Sequence, residues 1–256
     1  ESRTIHGRDL DAAVRAVEEI ARGKGTYITL NPVRSNLEKA ARARDILRRR
    51  HLLIDCDRSA IVKEHAGKDS NATEEEKENS RHVAEAVATD LTTRGWPRPI
   101  VIDSGNGWHL LYAVDLPNDK LSQQVVARCL KSLQDVHGNA HAEVDTKVHN
   151  ASRITKLAGT WVRKGSDSDD RPHRMARLVS VPTAIVPVPD HLLFELAGMG
   201  NGEPEHDREP HSWAVPVGSG QRDLSAYVRK AIELECGKVS MALEGQRNDT
   251  LNTAAF

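Results

Sequence analysis

Residues 99–114, PIVIDSGNGWHLLYAV, constrain this chain more than any other stretch. Two apolar, strand-forming runs flank Ser104-Gly105-Asn106-Gly107, and a polar gap that short joins two strands only as a tight turn. The hairpin commits the chain to an antiparallel pair and argues against a strict βαβ wind.

Helical patterns surround that hairpin. Leu10, Ala13, Val14, Val17 and Ile20 form the stripe of an amphipathic helix over 9–22, ended by Gly23 and Gly25. TYITL (26–30) reads as a strand stopped by Asn31-Pro32, and a second helix is expected over much of 36–46. HLLIDCD (51–57) reads as a buried strand and 58–72 as a polar loop. Thr73 with Glu76 matches a capping box, after which Val83, Val87 and Leu91 repeat on one face until Gly95 and two prolines close the helix. Leu121, Val125, Leu130 and Leu133 predict another helix, and short strands are expected around 142–145, 153–162 and 174–181. The mixed order predicts the α+β class.

Beyond residue 195 the composition shifts to GMGNGEPEHDREPHSWAVPVGSGQRD, rich in Gly, Pro and charge. The expected organisation is a domain over 1–195, a linker over 196–220 and a helical segment over 221–256 that stops inside an unfinished element, as in a piece of a longer polypeptide. Three separated cysteines (Cys56, Cys129, Cys236) encode neither a zinc ribbon nor a disulfide framework, so no zinc is expected and a reducing cytoplasm is the natural compartment. No run of 18 apolar residues and no signal pattern is present, so no membrane is expected. Net charge is −1, which excludes a uniformly cationic surface but not nucleic acid, because RARDILRRR (42–50) and RKGSDSDDRPHRMAR (163–177) are locally basic. Either segment could equally be a solvated surface.

Three groups of residues carry chemistry. Alternation along the 51–57 strand puts Leu53, Asp55 and Asp57 on one face and Leu52, Ile54 and Cys56 on the other. Two carboxylates at i and i+2 lie about 7 Å apart at their Cα atoms. Their repulsion is roughly 2–3 kcal/mol at an effective dielectric near 20. Mg²⁺ or Mn²⁺ would turn that cost into binding energy, since hard cations take carboxylate oxygens. Alone, the pair also fits two solvated acids at a strand end. In the hairpin, Gly105 and Gly107 permit close backbone approach to an anion, and Ser104 and His109 can donate to phosphate. A plain hairpin with a packed histidine is the competing description. Asp145, followed by Arg153, Lys156 and Gly159-Thr160, supplies a third acid near cations, as a metal–triphosphate site requires, although a surface acid with ordinary ion pairs would look the same.

Taken in order, LIDCD, DSGNGWHLLY and EVDTKVHNASRITKLAGT resemble the archaeo-eukaryotic primase superfamily, in the branch of phage and plasmid primase-polymerases. YITLNPV (27–33) and the GQRNDTLNTAAF ending resemble that branch too. The likeness covers roughly residues 10–190 plus the tail. It implies an RNA-recognition-motif-like mixed sheet with flanking helices beside an N-terminal α/β module. It also implies a nucleotidyltransferase that moves nucleotides from (d)NTPs to a 3′-hydroxyl. Asp55, Asp57 and Asp145 would hold two Mg²⁺ or Mn²⁺ ions. Ser104, Gly105, Gly107 and His109 would bind the incoming nucleotide, with Arg153 and Lys156 at the phosphates. Implied partners are a single-stranded DNA template, a primer, nucleoside triphosphates and a fused or separate helicase, in the cytoplasm of a bacterial host. Many members carry a Cys/His zinc module that this chain lacks. Two rivals remain: a DxD metal-dependent glycosyltransferase, which leaves the histidine hairpin unexplained, and a non-catalytic nucleic-acid-binding module, which has no use for three acids and should expose aromatics.

Overall fold

The computed structural model describes residues 14–17 and 25–199, except 36, 38 and 68, and all of them belong to one contact-defined unit. The expected linker beyond residue 199 and the helical segment over 221–256 lie outside the described residues. So does most of the helix expected over 9–22, of which residues 14–17 are helical.

The central strand is β2 (Arg49–Arg58), ten residues long and buried over most of its length. Helix α1 (Ala60–Ala66) follows it directly, capped by the Ser59 hydroxyl, which accepts from the Val62 amide. Helix α2 (Glu74–Thr93) opens with the expected reciprocal box: Thr73 accepts from the Glu76 amide and Glu76 accepts from the Thr73 amide. Three acids in its first turn complement the helix dipole. Its buried face is Ser80, Val83, Ala84, Val87 and Leu91, the predicted 3–4 spacing. It ends at Gly95 (φ 85°), where the Trp96 amide donates back to Leu91.

The hairpin is present as β3 (Ile100–Asp103) and β4 (Trp108–Leu116), and α3 (Lys120–His137) leads into β5 (Ala142–Val144). Five strands form one sheet in the order β5-β2-β4-β3-β9, where β9 is Arg177–Ser180. From β2 to β5 the chain runs strand-helix-helix-strand-strand-helix-strand, a split βαβ arrangement with one extra helix, α1, in its first crossover. The mixed sheet expected from the sequence is instead antiparallel at every pairing. The reason is topological. Each helical crossover skips one strand position, and the skipped position is filled by an oppositely running strand.

Even-numbered residues of β2 (Leu52, Ile54, Cys56) pair with Tyr112, Leu110 and Trp108, and this face packs under α2. Val125, Val126, Cys129, Leu130 and Leu133 of α3 join the same core, and α4 (Asp190–Leu196) seals α3. Burying each such Leu or Val is worth about 1.5–3 kcal/mol. Trp96 meets Tyr112 edge-on, with ring centroids 5.2 Å apart.

Two small sheets complete the fold. β1 (Tyr27–Thr29) pairs with β6 (Ile154–Lys156), and β7 (Trp161–Val162) pairs with β8 (Arg174–Met175). The strand of the expected N-terminal module is therefore tied to residues more than a hundred positions away rather than to its own sequence neighbours. Two local expectations fail. Among the described residues of 36–46 the expected helix is only a 3₁₀ turn at Ala43–Asp45, because Ile46 is drawn into a bridge with Val33. The polar loop expected over 58–72 contains α1, which buries none of its residues and so carries no apolar stripe to read. No helix among the described residues is long and apolar enough to cross a membrane.

Candidate functional site

The odd-numbered residues of β2 face away from α2. Asp55 sits opposite His109 of β4, and Asp57 opposite Glu143 of β5. One step further along, the Asp145 amide donates to the Asp55 carbonyl at 2.8 Å, placing Asp145 beside Asp55. Because residues two apart on a strand share a face, Asp55, Asp57, His109, Glu143 and Asp145 gather on the side of the sheet opposite α2. All three acids expected to act together are therefore neighbours.

The electrostatics match that crowding. Burial pushes the Asp55 carboxyl above the ordinary carboxylate range; His109 pulls it down, and Asp57 and Asp145 push it up again. Its side chain keeps 26% of its exposure, against 19% for Asp57 and 7% for His109. The histidine is fixed from both ends, with Nε2 3.5 Å from Asp55 Oδ1 and Nδ1 3.0 Å from the Thr155 hydroxyl. Thr155 is buried in β6, so the small β1–β6 sheet sets the ring's position.

A cation already neutralises part of the cluster. Lys63 Nζ of α1 lies 3.3 Å from Asp57 Oδ2 and 3.1 Å from Glu143 Oε1. The Arg58 amide donates to Asp57 Oδ1 at 2.8 Å, and the Lys147 amide to Asp145 Oδ1 at 2.8 Å. The carboxylates therefore point at three different partners, and among the described residues no three His, Cys, Asp or Glu side chains converge tightly enough to enclose an ion. The donor set itself suits a hard divalent cation: oxygen ligands, concentrated negative charge and partial access to water. Rotation of Asp57 and Asp145 about their side-chain bonds is what convergence requires.

The hairpin glycines have another task besides approach to an anion. A Cβ on Gly107 would overlap the Cys56 carbonyl oxygen and fall 3.2 Å from Asp57 Cα, so this glycine lets the turn press against the acidic end of β2. Gly105 adopts φ 92° and packs on Val162, 2.7 Å from where its Cβ would stand. Ser104 Oγ accepts from the Gly107 amide at 3.1 Å, and a hydroxyl accepting there still has a proton to donate. Asp103 caps the turn, accepting from the Gly105 amide and pairing with Lys77 at 2.7 Å.

The remaining cations are mostly engaged within the fold. Arg153 braces the 146–153 turn through Asn150 and the Lys147 carbonyl. Lys156 is buried, donates to the Trp161 carbonyl at 2.6 Å and lies over the Tyr27 ring, and burial lowers its ammonium to about 8. In the first basic segment Arg48 and Arg50 pair with Asp115, while Arg49 is buried against the His149 carbonyl. In the second, Arg171 pairs with Glu76 and Arg174 with Glu74. Behind them Arg58, 1% exposed, also reaches Glu76 at 3.4 Å. His137 and His149 bond to separate partners, Asp90 and the Thr146 carbonyl, as ordinary polar residues do.

Three residues of the site escaped the sequence. Glu143 was detectable by the parity rule that paired Asp55 with Asp57, since it stands two before Asp145. Lys63 lay in a segment read as loop, and Thr155 carried no signal. Compared with models of known protein families, with curated proteins and with solved structures, the chain matches none of them.

Proposed function

We propose that this chain is the catalytic core of a DNA primase-polymerase of the archaeo-eukaryotic primase superfamily, transferring nucleotides from (d)NTPs to a 3′-hydroxyl on a single-stranded DNA template. The observation that carries the proposal is the gathering of Asp55, Asp57 and Asp145 with His109 on the face of a split βαβ sheet opposite α2. The acids come from β2 and from the residue that follows β5, about ninety positions apart, and the charges of Asp57 and Asp145 raise the cost of ionising Asp55. A fold tolerates that cost most readily where a cation repays it.

Asp55, Asp57 and Asp145 are the residues that would hold Mg²⁺ or Mn²⁺. When bound, such ions lower the pKa of a 3′-hydroxyl and neutralise a triphosphate. The chain's own groups do the positioning. His109, locked between Asp55 and Thr155, keeps a ring nitrogen at the acidic cluster. The Ser104 hydroxyl lies on the same turn and can donate to a phosphate oxygen. Gly105 and Gly107 act by holding that turn against β2 and Val162. Lys156 reaches a phosphate only by leaving the Trp161 carbonyl, and an anion would repay its desolvation. A non-catalytic binding module gives no account of three clustered acids, although Tyr27 of β1 and Trp161 of β7 are exposed aromatics of the kind it would use.

The test is incorporation of labelled dNTPs on primed and unprimed single-stranded DNA with Mn²⁺ or Mg²⁺, beside Asp55→Asn/Asp57→Asn. Metal-dependent product lost in the double variant is the expected result. Absence of product on both templates from folded protein refutes it.

A further inference from the structure

Lys63 is the cation that stands in the acidic cluster of this structure, and its surroundings are built rather than incidental. Glu143 holds α1 twice: Oε2 accepts from the Ala60 amide at 3.0 Å, and Oε1 accepts from Lys63 Nζ at 3.1 Å. Ser59 adds a third and a fourth tie to the β5 side, its amide donating to the His141 carbonyl and its hydroxyl to the Ala140 carbonyl. Lys63 is thus anchored through Glu143 independently of Asp57, whose Oδ2 it reaches at 3.3 Å. Asp57 can turn away while Lys63 remains where it is.

Resting on the metal-dependent reading above, we propose that Lys63 is a resident counter-cation, parked by Glu143, that occupies Asp57 until a divalent ion displaces it and so sets how tightly the site binds that ion. Without such a cation, Asp55, Asp57, Glu143 and Asp145 would face one another uncompensated in the metal-free protein. With it, every entering ion must overcome one adjacent positive charge. A unit charge within 4–6 Å commonly shifts an ionic equilibrium by tenfold or more.

The experiment is Mn²⁺ titration of the full chain at low ionic strength, with free Mn²⁺ read by electron paramagnetic resonance, so that binding is scored without turnover. Lys63→Met should bind Mn²⁺ at least about tenfold more tightly than the parent, and Lys63→Arg should return to the parent value. Glu143→Gln keeps an acceptor for the Ala60 amide but releases Lys63 wholly to Asp57, so its affinity should fall. The double variant should match Lys63→Met. A purely structural role would weaken both single variants together, and that outcome overturns the proposal, as does unchanged affinity in Lys63→Met. A double variant as weak as Glu143→Gln overturns the parking role. If Mn²⁺ binds the parent with dependence on Asp55 but the Lys63 variants behave alike, this inference alone fails. If neither parent nor Lys63→Met binds Mn²⁺, the metal-dependent reading fails with it.

Discussion

Gly107→Ala isolates what the hairpin glycines do. Gly107 does not have a positive φ, so alanine costs nothing in backbone conformation there; the whole penalty is steric. The added methyl would overlap the Cys56 carbonyl oxygen and press on Asp57 Cα, both backbone atoms of the central strand, which have no rotamer to escape into. Relief to ordinary contact requires the turn to retreat by roughly 1 Å. Overpacking of this kind costs about 1–3 kcal/mol, and backbone neighbours place this case near the upper end. Gly95 is the control: its φ is 85° and nothing lies within 4 Å of its Cβ position, so Gly95→Ala should cost about 1 kcal/mol from backbone strain alone. Gly105→Ala combines φ 92° with the Val162 contact and should also exceed the control. Urea unfolding should show these losses as lower midpoints at unchanged slope. The same retreat would lengthen the His109–Asp55 approach two residue pairs along the ladder, so Mn²⁺ affinity should fall in Gly107→Ala and stay constant in Gly95→Ala. A Gly107→Ala protein no less stable than Gly95→Ala would refute the claim that the turn is pressed on β2.

Lys156 should give the stability a slope in alkaline solution. Its folded value of about 8 lies below the ordinary lysine range, so between pH 8 and 10 the unfolded chain binds more protons and stability rises with pH; below 8 the penalty is complete. Lys156→Met should remove that slope, at most about 1.4 kcal/mol per pH unit, in unfolding measured at pH 8 and 10. Asp55 has a raised value, so stability falls as pH climbs from the ordinary carboxylate range to that value, and the loss is complete above it. Asp55→Asn should therefore make the metal-free protein more stable at pH 7 while reducing metal-dependent nucleotide incorporation to background. Glu76→Gln should lower stability by about 3 kcal/mol in chemical denaturation, because it removes the carboxylate that offsets the charges of the buried Arg58 and of Arg171, which keep only their neutral acceptors in Ser70 and the Asn71 carbonyl.

Much of this fold was legible where one residue type left one explanation. The Thr73/Glu76 box, the Gly95 stop and the Ser104–Gly107 turn are local devices, and each stands where the pattern put it. Parity along HLLIDCD correctly separated Asp55 and Asp57 from the core face. The misses have the opposite character. The 36–46 stretch has helix-forming residues but gave way to a tertiary bridge at Ile46, and α1 has a cap without an apolar stripe. At the site, sequence could place Asp145 on a strand end but not beside Asp55, and it gave Arg153 and Lys156 to phosphate without sight of the carbonyls that hold them. The pairing of β5 with β2 sets the first of those contacts, about which alternation within one strand carries no information, and turns that span six residues or fewer set the other two.

The sheet order has a kinetic consequence. β3 and β4 join through a four-residue turn, whereas β5 reaches β2 only after the chain has closed a loop of some ninety residues. Contacts of that separation form late in the folding of small α/β domains. Mutual repulsion of the acids is therefore absent while the nucleus assembles, and it arises when β5 docks carrying Glu143 and Asp145. Charge-neutralising substitutions at the cluster should accordingly slow unfolding and leave the folding rate nearly unchanged.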